Sequence, residues 1–355
     1  MRSLHLITSN ARRGAETFAV DLAAALLERG HEAEVAALSS SGGDESHEVP
    51  VLGPSRRSPA TYRGLRRLAA RTDVVVAHGA STLEACALGL AGTGVPFIYR
   101  TIGDPSYWAT TRTRREAIGI LQRRAARHVA LWDGAAGQLS RRYRVPRTGI
   151  DVIPNAVPRR RFERATTERR RQAREWLEVK EGQPCLLFVG ALSPEKDVTT
   201  LLEAMRSLSG EMLLLVAGDG PQRDELRAAA TGRPNIRFLG PTRDPYNLYA
   251  AADLLLLPSR TEGMPAVVIE AGMVGTPSVC TPVGAIPEML DHGLNGFLFN
   301  VGDPVALAAA VTAALPTARE VGKRATADFT TRYAIGVVTD LWVASFEAVQ
   351  AAKPQ

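Results

Sequence analysis

Short apolar runs alternate with amphipathic stretches along almost the whole chain. The runs have the length and spacing of β-strands, and twelve are predicted, at residues 4–8, 33–38, 73–77, 96–101, 128–132, 151–154, 185–189, 212–217, 236–239, 254–257, 278–280 and 296–299. Between them apolar residues recur at helical spacing, as at Val198, Leu201, Leu202, Met205 and Leu208. Such alternation is typical of parallel sheets with helices on both faces. The sequence therefore predicts an α/β protein with two Rossmann-like, doubly wound domains.

The order of these elements places one domain at residues 1–157 and a second at 182–332. The chain has 355 residues, enough for two domains of about 150 residues each. Residues 158–181 are polar and arginine-rich and are predicted to be a linker with one surface helix. Residues 333–355 are predicted to form a helix that either closes the second domain or crosses back to the first. Because ligands of such sheets bind beyond the carboxyl ends of the strands, we expect the two domains to face a binding cleft.

The apolar runs are too short to span a membrane. None approaches the roughly 20 residues that a membrane helix needs, and the first is too short for the apolar core of a signal peptide. The three cysteines, Cys86, Cys185 and Cys280, lie far apart and lack the paired spacing of a zinc site. We therefore expect a protein of the reducing cytosol without a disulfide scaffold.

Basic residues are concentrated in the first half of the chain. Residues 1–180 carry a net charge of +12 and residues 181–355 one of −6. Three interpretations of the basic runs stay open, namely peripheral contact with an anionic membrane, attraction of an acidic or phosphorylated ligand, and solvated helix faces. The runs lie at residues 112–127, 141–147 and 159–174. The runs contain only two aromatic residues, Tyr143 and Phe162, and no nucleic-acid recognition motif, which argues against nucleic acid. The sequence does not indicate an oligomeric state.

Two glutamates flank the start of the helix predicted after the tenth strand. Glu262 precedes this helix and Glu270 lies eight residues later. The free N–H groups of Ala266 and Val267 at the helix N-terminus suit an anion. A phosphate with a carboxylate on each side fits a sugar nucleotide, with Glu270 accepting hydrogen bonds from ribose and Glu262 from the sugar. The alternative is an ordinary helix with two exposed acids.

Glycine-containing loops follow several other strands. Gly190 permits close backbone approach, and Lys196, in the same loop as Ser193, can neutralise a diphosphate. Gly14 lets a phosphate or a sugar approach the helix after the first strand. Residues 218–221 form a tight turn. Taken singly, each of these features is explained equally well by a solvated lysine or a plain turn.

Taken together, the loops resemble the motifs of the family 4 retaining glycosyltransferases of the GT-B fold. The spacing from Glu262 to Glu270 is similar to the E-x7-E motif of that family. Further segments that match in order and spacing are residues 13–16, 153–157, 190–196, 218–221 and 237–240. The first resembles the G-G-A-E turn of the family, the second its P-N-G-V junction and the third its donor-phosphate loop. The resemblance covers nearly the whole chain.

The resemblance implies that the second domain binds a nucleotide-diphospho-sugar, with a UDP-sugar favoured, and that the first domain binds the acceptor. It places Lys196 on the diphosphate, Glu262 on the donor sugar and Glu270 on the ribose. Further positions that it places against the base, the sugar or the phosphates are Gly190, Ser193, Phe238, Leu239, Gly263, Met264, Ala266 and Val267. It also implies retention without a protein nucleophile and without a cofactor or metal, in keeping with the absence of a DxD motif.

Three positions depart from the pattern of the family. The arginine of the phosphate loop falls on Ala191, and Arg260 or an arginine of the first domain is a candidate to replace it. The first glycine of the front turn falls on Arg13. The histidine that usually follows the fourth strand falls on Ile102 or Gly103.

Polar residues in neighbouring loops are candidates to serve in place of that histidine. His78, which follows the preceding strand, is a candidate for the active site, although a polar residue that closes a strand is the alternative. Arg100 and Asp104 are candidates for contacts with sugar or acceptor. With Gly14, Lys196 and Glu262, these residues form the predicted catalytic set.

The sequence thus predicts a cytoplasmic retaining glycosyltransferase, either free or peripheral on the inner face of the membrane. It would move a hexosyl or N-acetylhexosaminyl group to a hydroxyl of a small molecule, natural product or glycolipid. Two alternatives stay open, a sugar-nucleotide epimerase or phosphorylase on the same fold and a non-catalytic sugar-nucleotide-binding protein.

Overall fold

The structure, a computed structural model, describes residues 1–42, 46–108 and 111–352 and divides into two compact units. Unit 1 comprises Met1–Ala156 and Ile335–Gln355, and unit 2 comprises Val157–Ala334. Of the helix predicted at residues 333–355, the last three residues lie outside the described part of the chain. Within the described residues, no helix is long and apolar enough to span a membrane.

Unit 1 is built on a six-stranded parallel sheet with the strand order β2-β1-β3-β4-β5-β6. Its strands are β1 (Arg2–Ser9), β2 (Glu32–Ser39), β3 (Val74–His78), β4 (Phe97–Arg100), β5 (Arg127–Ala130) and β6 (Ile150–Val152). Its helices are α1 (Gly14–Glu28), α2 (Pro59–Ala69), α3 (Ala80–Gly89), α4 (Arg112–Gln122), α5 (Asp133–Tyr143) and α14 (Ile335–Ala351). The strand order reverses direction between β1 and β3, so the loops after these two strands diverge at the carboxyl edge, where such sheets bind ligands.

Unit 2 repeats this architecture, with the strand order β12-β11-β10-β7-β8-β9. Its strands are β7 (Cys185–Val189), β8 (Leu213–Ala217), β9 (Ile236–Gly240), β10 (Leu254–Leu257), β11 (Ser278–Cys280) and β12 (Phe297–Leu298). Its helices are α6 (Thr167–Trp176), α7 (Val198–Ala204), α8 (Arg223–Ala229), α9 (Tyr246–Ala251), α10 (Ala266–Val274), α11 (Ile286–Met289), α12 (Pro304–Ala314) and α13 (Ala318–Tyr333). Here the reversal lies between β7 and β10.

The apolar runs form strands because both faces of each sheet are buried. In β3, Val75 and Ala77 belong to one apolar cluster, whereas Val74 and Val76 belong to another. Side chains alternate between the two faces of a strand, so a strand covered on both sides is apolar at successive positions. The two parallel sheets confirm the predicted fold class, and all twelve predicted strands are present within a few residues of their expected bounds.

Helix α14 packs on the sheet of unit 1, although it follows unit 2 in the chain. Trp342, Phe346 and Val349 join the apolar cluster that contains Val74 and Val76. Arg29 at the end of α1 donates hydrogen bonds to the carboxylate of Asp340 and to the carbonyl of Gly336. Of the two positions that the sequence left open for this helix, the structure shows the one against the first unit.

The arginine-rich segment 158–181 lies within unit 2 rather than standing apart as the linker that the sequence predicts. Its helix, α6, is fixed to the amino-terminal edge of the second sheet by two half-buried arginines. Arg170 and Arg174 both pair with Asp253, and both donate to backbone carbonyls at the C-terminal end of α9. These two positive charges therefore hold the fold of unit 2.

Candidate functional site

The loop after β10 carries Glu262, and the middle of α10 carries Glu270. Pro265 occupies the N-cap of α10, immediately before its first helical residue, Ala266. The N–H of Val268 donates back to the Pro265 carbonyl, whereas Ala266 and Val267 provide the first two N–H groups of the helix. A nine-residue helix thus presents its positive end beside Glu262.

Lys196 and Glu262 form an ion pair that joins the loop after β7 to the loop after β10. Lys196 Nζ donates to Glu262 Oε1 at 2.6 Å, and Ser259 Oγ donates to the same oxygen at 2.6 Å. The Glu262 side chain is 7% exposed and that of Lys196 is 21% exposed. The two residues predicted to hold the sugar and the diphosphate are therefore adjacent in space.

Asp197, the residue after Lys196, has a left-handed backbone with φ of 49°. Its buried carboxylate accepts a hydrogen bond from Thr200 and forms an ion pair with Arg260 at 2.9 Å. Arg260 is the residue that the sequence proposed to replace the arginine missing at Ala191. The structure ties its guanidinium to Asp197, and the side chain stays 58% exposed.

Glycines allow the loops of this site to approach each other closely. Gly218 has φ of 144°, and a Cβ there would lie 1.8 Å from the Gly190 carbonyl oxygen. A Cβ on Gly220 would lie 2.4 Å from the Leu192 carbonyl oxygen. A Cβ on Gly284 would overlap the carbonyl oxygens of Glu262 and Gly263. These contacts fix the loop after β7 against the turn after β8.

Ser193 contributes a buried hydroxyl to the same loop. The residue is 6% exposed, and its Oγ has no hydrogen-bond partner among the described residues. Leaving a buried hydroxyl without a partner costs free energy, so such atoms in a native site call for an explanation. Met264, also in the predicted set, is buried as well, at 6% exposed.

Glu270 is held by a buried tyrosine. Tyr249 on α9 donates its hydroxyl hydrogen to Glu270 Oε2 at 2.7 Å. Burial of this tyrosine, and secondarily the Glu270 carboxylate, raises the pKa of the Tyr249 hydroxyl well above its ordinary value. The tyrosine therefore remains a donor and fixes the orientation of the carboxylate predicted to bind ribose. Sequence reasoning missed Tyr249, because nothing in its local sequence separates it from a core aromatic residue.

Phe238 and Leu239 lie at the end of β9, where the sequence predicts the base. Leu239 is 39% exposed, which is unusual for a leucine on a strand of this sheet. The guanidinium of Arg227 lies 5.7 Å from the centre of the Phe238 ring. The strand end thus combines apolar side chains with a nearby cation.

In unit 1, Gly14 is the first residue of α1, and nothing lies within 4 Å of a Cβ placed on it. Two residues later, Glu16 is only 9% exposed. Burial raises the pKa of Glu16, whereas a hydrogen bond from its own backbone N–H, Arg13 and Arg100 act in the opposite direction. A carboxylate therefore lies where the sequence expected a phosphate or a sugar to approach. Since two anions repel each other, a sugar is the better fit.

His78 and Arg100 are both interior residues, but only His78 also lines the cavity at the carboxyl edge of unit 1, whereas Arg100, a predicted contact of sugar or acceptor, does not. His78 is 2% exposed and Arg100 is 1% exposed. They are paired neighbours on adjacent strands, and Arg100 stacks on the ring of Phe18 and donates to Asn155. An arginine at the end of a strand and before a loop is usually exposed. The burial of Arg100 is therefore not evident from the local sequence pattern.

A chain of hydrogen bonds runs inward from Arg100. The Arg100 guanidinium lies 3.3 Å from His78 Nδ1, His78 Nε2 lies 3.2 Å from His5 Nδ1, and His5 Nε2 lies 3.2 Å from Ser3 Oγ. An arginine only donates, so His78 Nδ1 must accept, and both histidines must carry their protons on Nε2. Burial, and then Arg100, lowers the pKa of His5 to about 3 and that of His78 well below its ordinary value.

Asp104, the remaining predicted acceptor residue, caps a short 3-10 turn by accepting from the N–H of Ser106 at 2.8 Å. It is not among the residues that line the cavity at the carboxyl edge of unit 1. That cavity measures about 240 Å³. Its lining consists of Thr8, Glu16, His78, Gly79, Ala80, Ser81, Tyr99, Ile102, Gly103 and Trp108. Glu16 is therefore the acidic residue of this edge that sequence reasoning passed over.

Within the described ranges, no group of three histidine, cysteine, aspartate or glutamate side chains is placed to hold a metal ion. All predicted donor residues, including Lys196, Glu262 and Glu270, lie in unit 2. The predicted acceptor-side residues Gly14 and Asp104 lie in unit 1.

Two curated relatives are D-inositol 3-phosphate glycosyltransferases. That of Salinispora tropica is 34% identical over 57% of this chain and 45% of its own length, and that of Salinispora arenicola is 32% identical over 65% of this chain and 57% of its own length. The match thus spans about half the length of these relatives.

A solved structure with a similar fold and two family models also match this chain. This chain superposes on the crystal structure of Anabaena Alr3699/HepE in complex with UDP-glucose with a TM-score of 0.86 and 20% sequence identity. The match covers 98% of this chain and 100% of the Alr3699/HepE chain. A model of the glycosyl transferases group 1 matches residues 183–316, and one of Glycosyltransferase Family 4 matches residues 12–161. Together the two models cover most of both units, and the chain belongs to the group 1, family 4 glycosyltransferases with the GT-B fold.

Proposed function

We propose that the chain transfers a sugar from a nucleotide-diphospho-sugar to a hydroxyl group, with retention of the anomeric configuration. The observation that carries this proposal is the Lys196–Glu262 pair beside the N-terminus of α10. It puts a cation for a diphosphate and a buried carboxylate for a sugar within one hydrogen bond of each other. The buried, unpartnered Ser193 Oγ of the same loop adds a polar group for the same ligand.

The charges of this loop region suit the departure of a diphosphate. An ammonium group has three donors, and the contact of Lys196 with Glu262 occupies one of them, which leaves donors for phosphate oxygens. The N–H groups of Ala266 and Val267 add the positive end of a helix dipole. Groups that are fixed before the reaction stabilise developing negative charge effectively, because they need not reorganise.

The proposed reaction is a substitution on one face of the sugar. The bond from the anomeric carbon to the phosphate oxygen breaks, the bond to the acceptor oxygen forms on the same face, and the departing phosphate takes the acceptor proton. In this scheme Glu262 holds the sugar hydroxyls and no side chain acts as a nucleophile. We propose that the reaction requires no metal ion.

We propose a UDP-sugar with a hexosyl or N-acetylhexosaminyl group as the donor. The support is a structurally similar protein solved with UDP-glucose, together with the exposed Leu239 at the end of β9 and the carboxylate of Glu270 fixed by Tyr249. The acceptor would be a hydroxyl of a small molecule, a natural product or a glycolipid.

The test is a panel of UDP-, GDP- and ADP-sugars, each with and without a mixture of hydroxyl acceptors. The expected result is release of UDP that depends on acceptor, with the anomeric proton coupling of the product equal to that of the donor. An isomerised donor sugar in the absence of acceptor would instead show an epimerase. Tight donor binding without transfer to any acceptor would show a binding protein.

A further inference from the structure

The cavity at the carboxyl edge of unit 1 combines a buried carboxylate with an aromatic and aliphatic wall. Glu16 faces a lining that includes Tyr99, Ile102 and Trp108. The Trp108 and Tyr99 rings pack edge to face at 6.1 Å. The cavity lies where the strand order reverses between β1 and β3, the place at which a doubly wound sheet binds its ligand.

No lysine or arginine side chain lines this cavity in the part of the chain that the structure describes. Arg100, on the strand next to His78, is buried, and its guanidinium contacts His78, Asn155 and the ring of Phe18. The one histidine in the lining is kept neutral, because burial and Arg100 lower the pKa of His78 well below its ordinary value. An anionic group placed here would meet a carboxylate in the lining, whereas Arg13, the exposed residue whose charge acts on Glu16, is not part of that lining.

Ile102 shapes the same cavity. Its Cδ1 would lie 2.9 Å from a Cβ on Gly79, whose φ of 92° already favours glycine. The isoleucine therefore fills the space over the start of α3 and adds an apolar side chain to the lining. A ring with an apolar face and equatorial hydroxyls matches a wall of this kind, since such rings pack their C–H faces on aromatic side chains.

We propose that this cavity seats a neutral or amino-bearing polyol ring as the acceptor, with Glu16 accepting hydrogen bonds from its hydroxyl or amino groups, and that it disfavours a phosphorylated ring. The proposal rests on the proposed glycosyl transfer and names the acceptor class of that reaction. Glu16 is then a specificity-determining residue, because its carboxylate binds hydroxyl or amino groups that donate hydrogen bonds and repels a phosphate.

A neighbouring cavity contains the arginines that a phosphorylated acceptor would need. It measures about 320 Å³, is lined by Arg56 and Arg57 and shares Ser81 with the first cavity. Arg56 donates to Ser81 Oγ at 3.0 Å, and Arg57 pairs with Glu84 at 2.8 Å. A phosphorylated acceptor would need these arginines, so substitutions at Glu16 and Arg56 separate the two possibilities.

The experiment compares two matched acceptor pairs, myo-inositol with its 3-phosphate and glucose with glucose 6-phosphate. They are assayed with the best donor on the wild type, Glu16→Gln, Arg56→Gln and Glu28→Gln. Glutamine keeps the size of Glu16 and can still accept the hydrogen bond from its own backbone N–H, and it removes only the charge. Glu28 lies at the exposed far end of the same helix and serves as the control.

We expect the wild type to prefer the unphosphorylated member of a pair. Glu16→Gln should raise KM for that member at least tenfold, with little change in the donor KM, and should move the preference toward the phosphorylated member. Glu28→Gln and Arg56→Gln should leave the preference unchanged. A wild-type preference for a phosphorylated acceptor that is lost in Arg56→Gln would overturn the proposal, and so would the absence of transfer to any member of either pair.

Donor binding keeps this test separate from that of the proposed function. UDP affinity by calorimetry and the slow hydrolysis of UDP-glucose without acceptor are measured for every variant. A wild type that neither binds UDP nor hydrolyses UDP-glucose would refute the proposed function itself. Normal donor binding with an acceptor preference that does not respond to Glu16 would refute only the assignment of this cavity.

Discussion

Lys196 Nζ lies 2.6 Å from Glu262 Oε1, although 66 positions separate the two residues in the chain. The contact exists because the parallel order β10-β7-β8 brings the loops after β10 and β7 to the same edge of the sheet. It links the two groups that a diphospho-sugar would need, and it ties the stability of the loops to the chemistry proposed for them.

Replacing Lys196 by methionine should weaken UDP binding by about 10- to 100-fold, as expected from the loss of one hydrogen bond to a charged group. Titration calorimetry measures the effect. Lys180→Met, at an exposed lysine of the same unit, is the matched control and should bind UDP as the wild type does. Equal affinities in the two variants would remove Lys196 from the diphosphate site.

Replacing Glu270 by alanine should weaken binding of UDP but not of 2′,3′-dideoxy-UDP, because the proposed contact is with the ribose hydroxyls. Tyr249→Phe should have the same selectivity with a smaller effect, since it removes only the hydrogen bond that orients the carboxylate. An equal loss of affinity for both nucleotides would instead point to general damage of the α9–α10 region.

Gly218→Ala should destabilise unit 2 by at least about 2 kcal/mol, because it adds a left-handed strain and a backbone overlap with Gly190. Gly210→Ala is the control, since nothing lies within 4 Å of a Cβ at that position. Urea unfolding followed by circular dichroism gives both values. A Gly218→Ala protein as stable as the control would mean that this close approach is absent in solution.

Trp342→Ala should cost about 3–5 kcal/mol, the usual range for a buried tryptophan. The neighbouring Leu341 is 43% exposed, and Leu341→Ala should change stability by no more than about 0.5 kcal/mol. Thermal melting of both variants checks the packing of α14. If the two variants melt alike, this helix does not complete the core of unit 1.

The buried histidines should make unit 1 sensitive to acid. The pKa of His5 is about 3 in the folded chain and near 6.5 when unfolded, so the unfolded chain binds the extra proton as the pH falls below 6.5. The contribution of His5 to the free energy of unfolding is therefore fully present above pH 6.5 and is lost progressively between pH 6.5 and 3. His5 alone should account for about 2 kcal/mol lost between pH 7 and 5.

The variant His5→Gln should lose about 2 kcal/mol less than the wild type over this pH interval. Tryptophan fluorescence is a suitable probe, because Trp108, Trp132 and Trp342 all lie in unit 1. Nitrogen-15 NMR at neutral pH should also show His5 and His78 in the Nε2-protonated tautomer. Identical pH profiles of variant and wild type, or an Nδ1-protonated His78, would contradict the hydrogen-bonded chain.

The fold was predictable from the sequence because strands buried on both faces are apolar at successive positions. The positions of Lys196, Glu262 and Glu270 were predictable for a related reason, since the first two lie in loops that follow strands and Glu270 lies in the helix after the second of these loops. Burial of polar residues was not predictable. Arg100, His78, Arg170 and Tyr249 owe their roles to partners distant in the chain, and no local pattern identifies those partners.

The order in which the units are completed during synthesis follows from the position of α14 in the chain. Domains generally fold as they emerge, beginning with the N-terminal one. Here the core of unit 1 includes Trp342 and Phe346, which are synthesised after the whole of unit 2. The first 156 residues must therefore wait on the ribosome with part of their apolar sheet uncovered, while residues 157–334 are completed first. A nascent chain of this kind is a natural client for chaperones that bind exposed apolar surface.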